Sequence, residues 1–123
     1  MKFLKSGTDY INWSHVRAIR VVAAMILFEV DNVEFPLDEV FLSIKAAQEH
    51  LDNLIDEVEK STALRFVAVE NGYVNAAFVR RFFIHGTQLR FETDLGQQYL
   101  FDDFADDCSA QAYLEGLIKE LEE

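Results

Sequence analysis

One cysteine among 123 residues, Cys108, excludes an internal disulfide and suits a reducing compartment. A single proline and five glycines leave no material for a flexible linker or a disordered tract. Long apolar runs are missing too. The longest, near Val21–Phe28 and Leu64–Val69, fall far short of the ~20 residues that span a bilayer. No apolar segment follows Lys2 and Lys5, so no secretory signal is expected and the chain reads as soluble and cytoplasmic. Bases are scarce, 11 against 22 acids, and the net charge of −11 argues against duplex nucleic acid or an anionic membrane as a partner.

Chemical signatures are equally sparse. There is no glycine-rich phosphate loop, Ser/His/Asp set or paired catalytic carboxylate, so neither an enzyme nor a cofactor is expected. His15, His50 and His85 share no metal-ligand spacing with one another or with Cys108, which reads as a small buried hydrophobe. Asp102-Asp103-Phe104-Ala105-Asp106-Asp107 places carboxylates at i and i+4, but lacks the turn glycine and alternating oxygens of a calcium loop. Acids favoured at a helix N-terminus explain the run, and no metal site is expected.

What is present is an internal repeat. Tyr10-Ile11-Asn12 with Val16-Arg17 recurs as Tyr73-Val74-Asn75 with Val79-Arg80. At the offset that sets Tyr10 on Tyr73, residues 2–60 align with 65–123 without a gap, and 17 of 59 pairs are identical, where unrelated sequences give about four. Half the residues are apolar, enough for a core. The expected fold is α+β, a tandem duplication of an antiparallel sheet plus a long amphipathic helix. Repeat one (1–60) and repeat two (64–123) are expected to pack as one pseudo-two-fold domain, 1–123, joined by Ser61-Thr62-Ala63. Residues 38–60 and 102–123 hold fifteen of the 22 acids and three of the 11 bases, so the acidity sits in the two helical segments.

Within repeat one, β-branched residues predict a hairpin of Val16–Val22 with Met25–Val30 across Ala23-Ala24, and a further strand at Val33–Leu37. Ala-Ala is a poor two-residue turn, and a longer loop is an alternative. Asp38 is the expected N-cap of a helix whose stripe runs Val40, Ile44, Ala47, Leu51, Leu54 and Val58, widened by Phe41 and Ile55. Repeat two replays this order with glycine-containing turns at Asn71-Gly72 and His85-Gly86, and a turn longer by one residue near Asp94-Leu95-Gly96. Its helix runs through Phe104, Leu114, Leu117, Ile118 and Leu121, and Gly116 with Ser109 allows a break near Cys108 and a capped restart. Asn12 and Asn75 are expected to close turns. Arg17 with Glu29, and Arg80 with Glu92, are expected to pair across strands.

Strand alternation sorts the hairpins into faces. Ile19, Val21, Ile26, Phe28 and Val30 lie under one helix, and Phe82, Ile84, Leu89, Phe91 and Thr93 under the other. The opposite face offers Ala18, Arg20, Val22, Met25 and Leu27 in repeat one. In repeat two it offers Arg81, Phe83, His85, Gln88 and Arg90. The first face is apolar enough to need cover, by the other repeat or by another chain; as a partner or self-association surface it comprises Ala18, Val22, Met25 and Leu27.

The Tyr-Ile-Asn segment, Val16, the hairpin, a short strand and an acid-led helix make each half resemble the small flagellar FlbD-like proteins. Trp13 and Ala76 stand where a proline often follows the Asn there. The resemblance implies a small regulatory or adaptor protein, not an enzyme. In layout the repeats are also similar to PUR-type and Whirly-type single-strand binders. The leading expectation is therefore a non-enzymatic cytoplasmic protein-interaction or adaptor protein, with a dimer among its expected forms. One alternative is single-stranded nucleic-acid or anion binding through Arg81, Phe83, His85 and Arg90. The other is an inhibitor whose acidic helices imitate nucleic acid.

Overall fold

The computed structural model describes residues 3–122. The fold is α+β. Its strands are β1 (Phe3–Ser6), β2 (Asp9–Asn12), β3 (Ala18–Val22), β4 (Met25–Val30), β5 (Val33–Val40), β6 (Phe66–Val69), β7 (Gly72–Asn75), β8 (Val79–His85), β9 (Gln88–Thr93) and β10 (Gln98–Asp103). Helix α1 (Ile44–Ser61) follows β5, and α2 (Asp107–Glu122) follows β10. Short 3-10 turns, Trp13–His15 and Ala76–Phe78, follow β2 and β7. At the offset of the sequence repeat, the starts of β1, β2, β4 and α1 coincide with those of β6, β7, β9 and α2. Among the described residues no helix is long and apolar enough to cross a membrane.

The chain divides into two compact units, Met1–Asn75 and Ala76–Glu123. The division falls after β7, not in the short linker Ser61-Thr62-Ala63, because β7 pairs with β3. The register sets Ala18 opposite Val74, Ile19 opposite Tyr73 and Arg20 opposite Gly72. The first unit thus contains a five-stranded antiparallel sheet of order β5-β4-β3-β7-β6 and a separate β1-β2 hairpin. Gly72 is required at this junction, since a Cβ there would stand 2.1 Å from the Ile19 carbonyl oxygen. Asn75 locks the join: its side-chain Nδ2 donates to the Val16 carbonyl at 2.9 Å, and its backbone N–H donates to Arg17 O at 2.8 Å.

One face of this sheet carries Ile19, Val21, Ile26 and Phe28, which are buried in one cluster with Ala47, Leu51, Ile55 and Val58 of α1. Trp13 enters the same core edge-on to Phe66 of β6, with ring centroids 5.9 Å apart. The helix begins later than its apolar stripe suggests. Asp38 lies inside β5, and the Phe41 N–H still donates to Ala24 O, so the chain stays extended past Val40. Ser43 is the N-cap, accepting from the Ala46 N–H at 3.1 Å, and Ile44 in the first turn is exposed. Ala23-Ala24 does form a two-residue turn, because Val22 pairs directly with Met25. Ala23 takes φ +53°, the left-handed region; Gly86, at the same place in the β8-β9 hairpin, takes +66°.

The second unit is a three-stranded antiparallel sheet of order β10-β9-β8 with α2. Leu89, Phe91 and Ala110 are fully buried. Phe91 stacks on Tyr99 at 5.2 Å, and Tyr113 of α2 meets Phe101 and Phe104 at 5.7 and 5.3 Å. The β9-β10 turn is longer than the β4-β5 turn, as expected near Asp94-Leu95-Gly96, with Gly96 at φ +83°. Helix α2 runs unbroken through Cys108, which is exposed and not the buried residue its type suggests. The acidic run caps this helix: Asp106 Oδ1 accepts from the Ser109 N–H at 2.7 Å, which lowers the Asp106 pKa.

Candidate nucleic-acid interface

The β8-β9 ribbon gathers most of the second unit's positive charge. Cross-strand pairs Arg81-Glu92, Phe83-Arg90 and His85-Gln88 put these six side chains on one face, as their alternation predicts. Phe82, Ile84, Leu89 and Phe91 take the other face, and the last two are fully buried. A bulge between Val79 and Arg81 makes Arg80 an extra residue opposite Glu92. Two consecutive arginines therefore converge on one carboxylate. Arg80 Nη2 lies 2.7 Å and Arg81 Nε 2.9 Å from Glu92 Oε2. Hydrogen bonds from these guanidiniums, Arg80's foremost, hold the Glu92 carboxyl below the usual carboxylate range.

The expected Arg80-Glu92 pair is thus present, and Arg81 joins it. In the first unit the Arg17 N–H donates to the Glu29 carbonyl at 2.9 Å, and Arg17 is buried. The Arg81 guanidinium also lies over the Phe83 ring, 4.5 Å from its centroid. Arg90 reaches back to Gln88, donating from Nε at 3.0 Å and Nη2 at 2.7 Å to the amide oxygen. This arrangement fixes the Gln88 amide so that its NH₂ is turned away from Arg90. Along β8 and β9 stand three arginines and one acid. The ribbon can present guanidinium charge and amide hydrogen bonds on one ordered surface.

The other proposed surface is also a single face. Ala18, Val22, Met25 and Leu27 lie on the side of the five-stranded sheet opposite α1; Val22 is exposed and the other three are half-buried. Arg20 pairs there with Glu34 and lowers the Glu34 pKa through that hydrogen bond. His15 and His85 are exposed, while His50 packs on Phe41 at 5.0 Å. Asp106, Asp107 and Cys108 bring their ligand atoms within 4.8 Å of one another, all exposed, and Asp106 is already engaged as a cap. A cleft of about 280 Å³ beside Tyr73 is lined by two carboxylates, Asp52 and Glu70, and Asp52 accepts from the Tyr73 hydroxyl at 2.6 Å.

No family model and no curated protein matches the chain. Among solved structures it is similar to a LytTr DNA-binding domain of a putative methyl-accepting/DNA response regulator from Bacillus cereus, with a TM-score of 0.58 and 11% identity over 94% of each chain. At that identity the likeness shows the fold. It corrects the leading expectation of a protein-interaction or adaptor protein, together with its single-strand and nucleic-acid-mimic alternatives, and the exclusion of duplex nucleic acid as a partner. The fold is that of a domain described as DNA-binding. The exclusion rested on the charge of the whole chain. Outside residues 38–60 and 102–123 there are seven acids and eight bases, so that part of the chain, which includes all of β8 and β9, does not share the net charge of −11. A partner's field depends on where charge lies, not only on its sum. Alternation identified the faces, but the bulge at Arg80 depends on a cross-strand register that the sequence does not display.

Proposed function

We propose that the chain is a non-enzymatic cytoplasmic module that binds duplex DNA through its β8-β9 ribbon, on a scaffold produced by tandem duplication of one sheet-plus-helix unit. The observation that carries the DNA reading is the likeness in fold, over 94% of the chain, to a LytTr DNA-binding domain. The ribbon's chemistry supports it. Sheet surfaces can read DNA from its grooves, where arginine reads guanine and glutamine reads adenine through paired hydrogen bonds. Gln88 and Arg90, near the His85-Gly86 turn, are the base-reading residues. Arg80 and Arg81 contact phosphate and exchange Glu92 for it. Within the second unit, α2 carries four acids and one lysine, so phosphate is repelled by the helix and drawn to the arginines of the ribbon. The duplication reading draws its support from the 17 identities in 59 pairs and from strand and helix starts that coincide at the same offset.

Fluorescence anisotropy with a labelled mixed-sequence duplex at low salt tests the DNA reading. Affinity is expected to fall steeply with salt. Arg81→Ala and Arg90→Ala should each weaken binding about tenfold, within the range for a phosphate or base contact. Arg20→Ala, on the first unit, should leave binding unchanged. No binding at about 100 μM protein, beyond ordinary nonspecific affinities, overturns the proposal.

A further inference from the structure

The first unit's sheet is completed by a hairpin, and the second unit's sheet is not. In the first, β7 adds to the free edge of β3 and β6 follows it. In the second, β8 is an edge strand among the described residues, and the hairpin at the corresponding place in the sequence, β1-β2, forms a sheet of its own. An open strand edge offers unpaired N–H and C=O groups to another strand.

The exposed face of β1-β2 is equivalent to the face on which β6-β7 places Phe66 in the core cluster. The pairs Phe3-Asn12 and Lys5-Tyr10 share one side, as Phe66-Asn75 and Ala68-Tyr73 do. Phe66 is 8% exposed and Asn75 is buried, whereas Phe3 is 54% and Tyr10 68% exposed, with Asn12 exposed as well. The opposite side of β1-β2 is already engaged, with Leu4 in the core and Ser6 Oγ donating to Pro36 O at 2.8 Å. The hairpin can therefore accept a second surface without leaving its own unit. On α2, Leu114, Leu117 and Ile118 are only half-buried.

We infer that the β1-β2 hairpin of a second copy of this chain adds to the β8 edge, giving the strand order β10-β9-β8-β2-β1. The inference rests on the duplication reading. Transferring the β3-β7 register to the equivalent repeat positions sets Ile11 opposite Arg81 and Tyr10 opposite Phe82. Phe3 and Tyr10 then lie toward α2, and Asn12 Nδ2 donates to the Val79 carbonyl as Asn75 does to Val16. This Tyr10 approaches the first copy's Glu115 as Tyr73 approaches Asp52. The ladder ends at Tyr10, because Asp9 carries a Cβ where Gly72 allows close approach. Each copy carries one such hairpin and one β8 edge, so two reciprocal additions about a two-fold axis close a dimer.

The test uses the full-length chain with Cys108→Ser. Ile11→Cys with Arg81→Cys should give a covalent dimer under mild oxidation with oxidised glutathione, since directly opposed strand positions meet disulfide geometry. Lys5→Cys with Arg81→Cys, on the wrong strand, should not. By light scattering, Phe3→Asp with Tyr10→Asp should raise the dimer dissociation constant at least tenfold. Circular dichroism should show these variants folded, because both side chains are exposed. A monomer with no cross-link, a disulfide closed within one chain, or a dimer that forms equally with the control pair overturns the inference. Absence of DNA binding by the unsubstituted chain, with the cross-linked dimer formed, leaves the inference standing and strikes only the DNA reading.

Discussion

Leu51 and Leu114 occupy equivalent turns of α1 and α2, yet Leu51 is 2% exposed and Leu114 is half-buried. The same holds for Ile55, buried, and Ile118, half-buried. Similar helices with the same apolar phase thus end in different environments. The difference lies in their sheets. α1 accompanies five strands and α2 accompanies three. Amphipathic periodicity states which side of a helix should be covered, while the sheet determines how much cover exists. Burial therefore belongs to the assembled strands, not to the helix sequence.

The largest effect expected from this comparison is loss of folding on removal of β6-β7. Residues 1–75 should melt cooperatively with Trp13 shielded, because Phe66 and Asn75 remain in place. Residues 1–61 lose Phe66 from the core and the Asn75 bonds to Val16 and Arg17. Burial of a side chain such as Phe66 contributes about 1.5–3 kcal/mol, a large share of a domain's margin of about 5–15 kcal/mol. Adding residues 62–123 in trans should restore the Trp13 signal. A cooperative, monomeric 1–61 would show that the first sheet does not need the hairpin.

Matched leucine truncations sharpen the same contrast. Leu51→Ala should cost about 2–5 kcal/mol, the range for a buried leucine. Leu114→Ala should cost less than half as much, because much of its surface already meets water. Urea unfolding followed by circular dichroism measures both under conditions where the chain is monomeric. Equal losses would mean that exposure misrepresents the packing of α2.

The asparagine pair follows in size. Asn75→Ala leaves the Val16 carbonyl without its donor in a buried site, at about 1–3 kcal/mol. Asn12 Oδ1 accepts from the Ser14 N–H at 2.9 Å at an exposed 3-10 turn, so Asn12→Ala should cost about 0.5–1 kcal/mol. A cost for Asn12→Ala matching that of Asn75→Ala, found only at high protein concentration, would instead report the hairpin addition inferred above.

These pairs also mark what the sequence can reveal. The phase of α1, the face assignments of β8 and β9, and the turn-closing role of Asn12 depend on neighbours a few residues apart, and periodicity exposes them. The β3-β7 pairing joins strands far apart in the chain and has no local signature. Asp38 resembled a cap because it follows Pro36, but β5 continues and Ser43 takes that role. The gathering of Arg80 and Arg81 on Glu92 was half legible. Charge complementarity suggested one partner, and only the bulge brings the second.

A smaller effect is expected at the two hairpin turns. Ala23 holds φ +53° against the preference of a residue with a Cβ, so Ala23→Gly should stabilise the first unit by up to about 1 kcal/mol, net of the added chain entropy. Gly86→Ala should destabilise the second by about 1–2 kcal/mol. Thermal melts compare the two, and a destabilising Ala23→Gly would contradict the turn geometry.

The last effect concerns Tyr73 and is read chiefly at alkaline pH. Burial, and then the hydrogen bond to Asp52, push its hydroxyl pKa well above the ordinary value of 10. The folded state therefore holds this proton more tightly than the unfolded chain. The associated stability is fully present below pH 10, falls as pH rises past that value, and is lost once pH passes the folded pKa. At pH 7 Tyr73→Phe removes one partly exposed hydrogen bond, at about 0.5–1.5 kcal/mol. Between pH 10 and the folded value the stability of the parent should fall more steeply than that of Tyr73→Phe, because the variant has no proton to lose there. Denaturant midpoints at several alkaline pH values, with tyrosinate absorbance recorded alongside, measure the difference. Parallel declines in parent and variant would show that the Tyr73 hydroxyl is not held by Asp52 of α1.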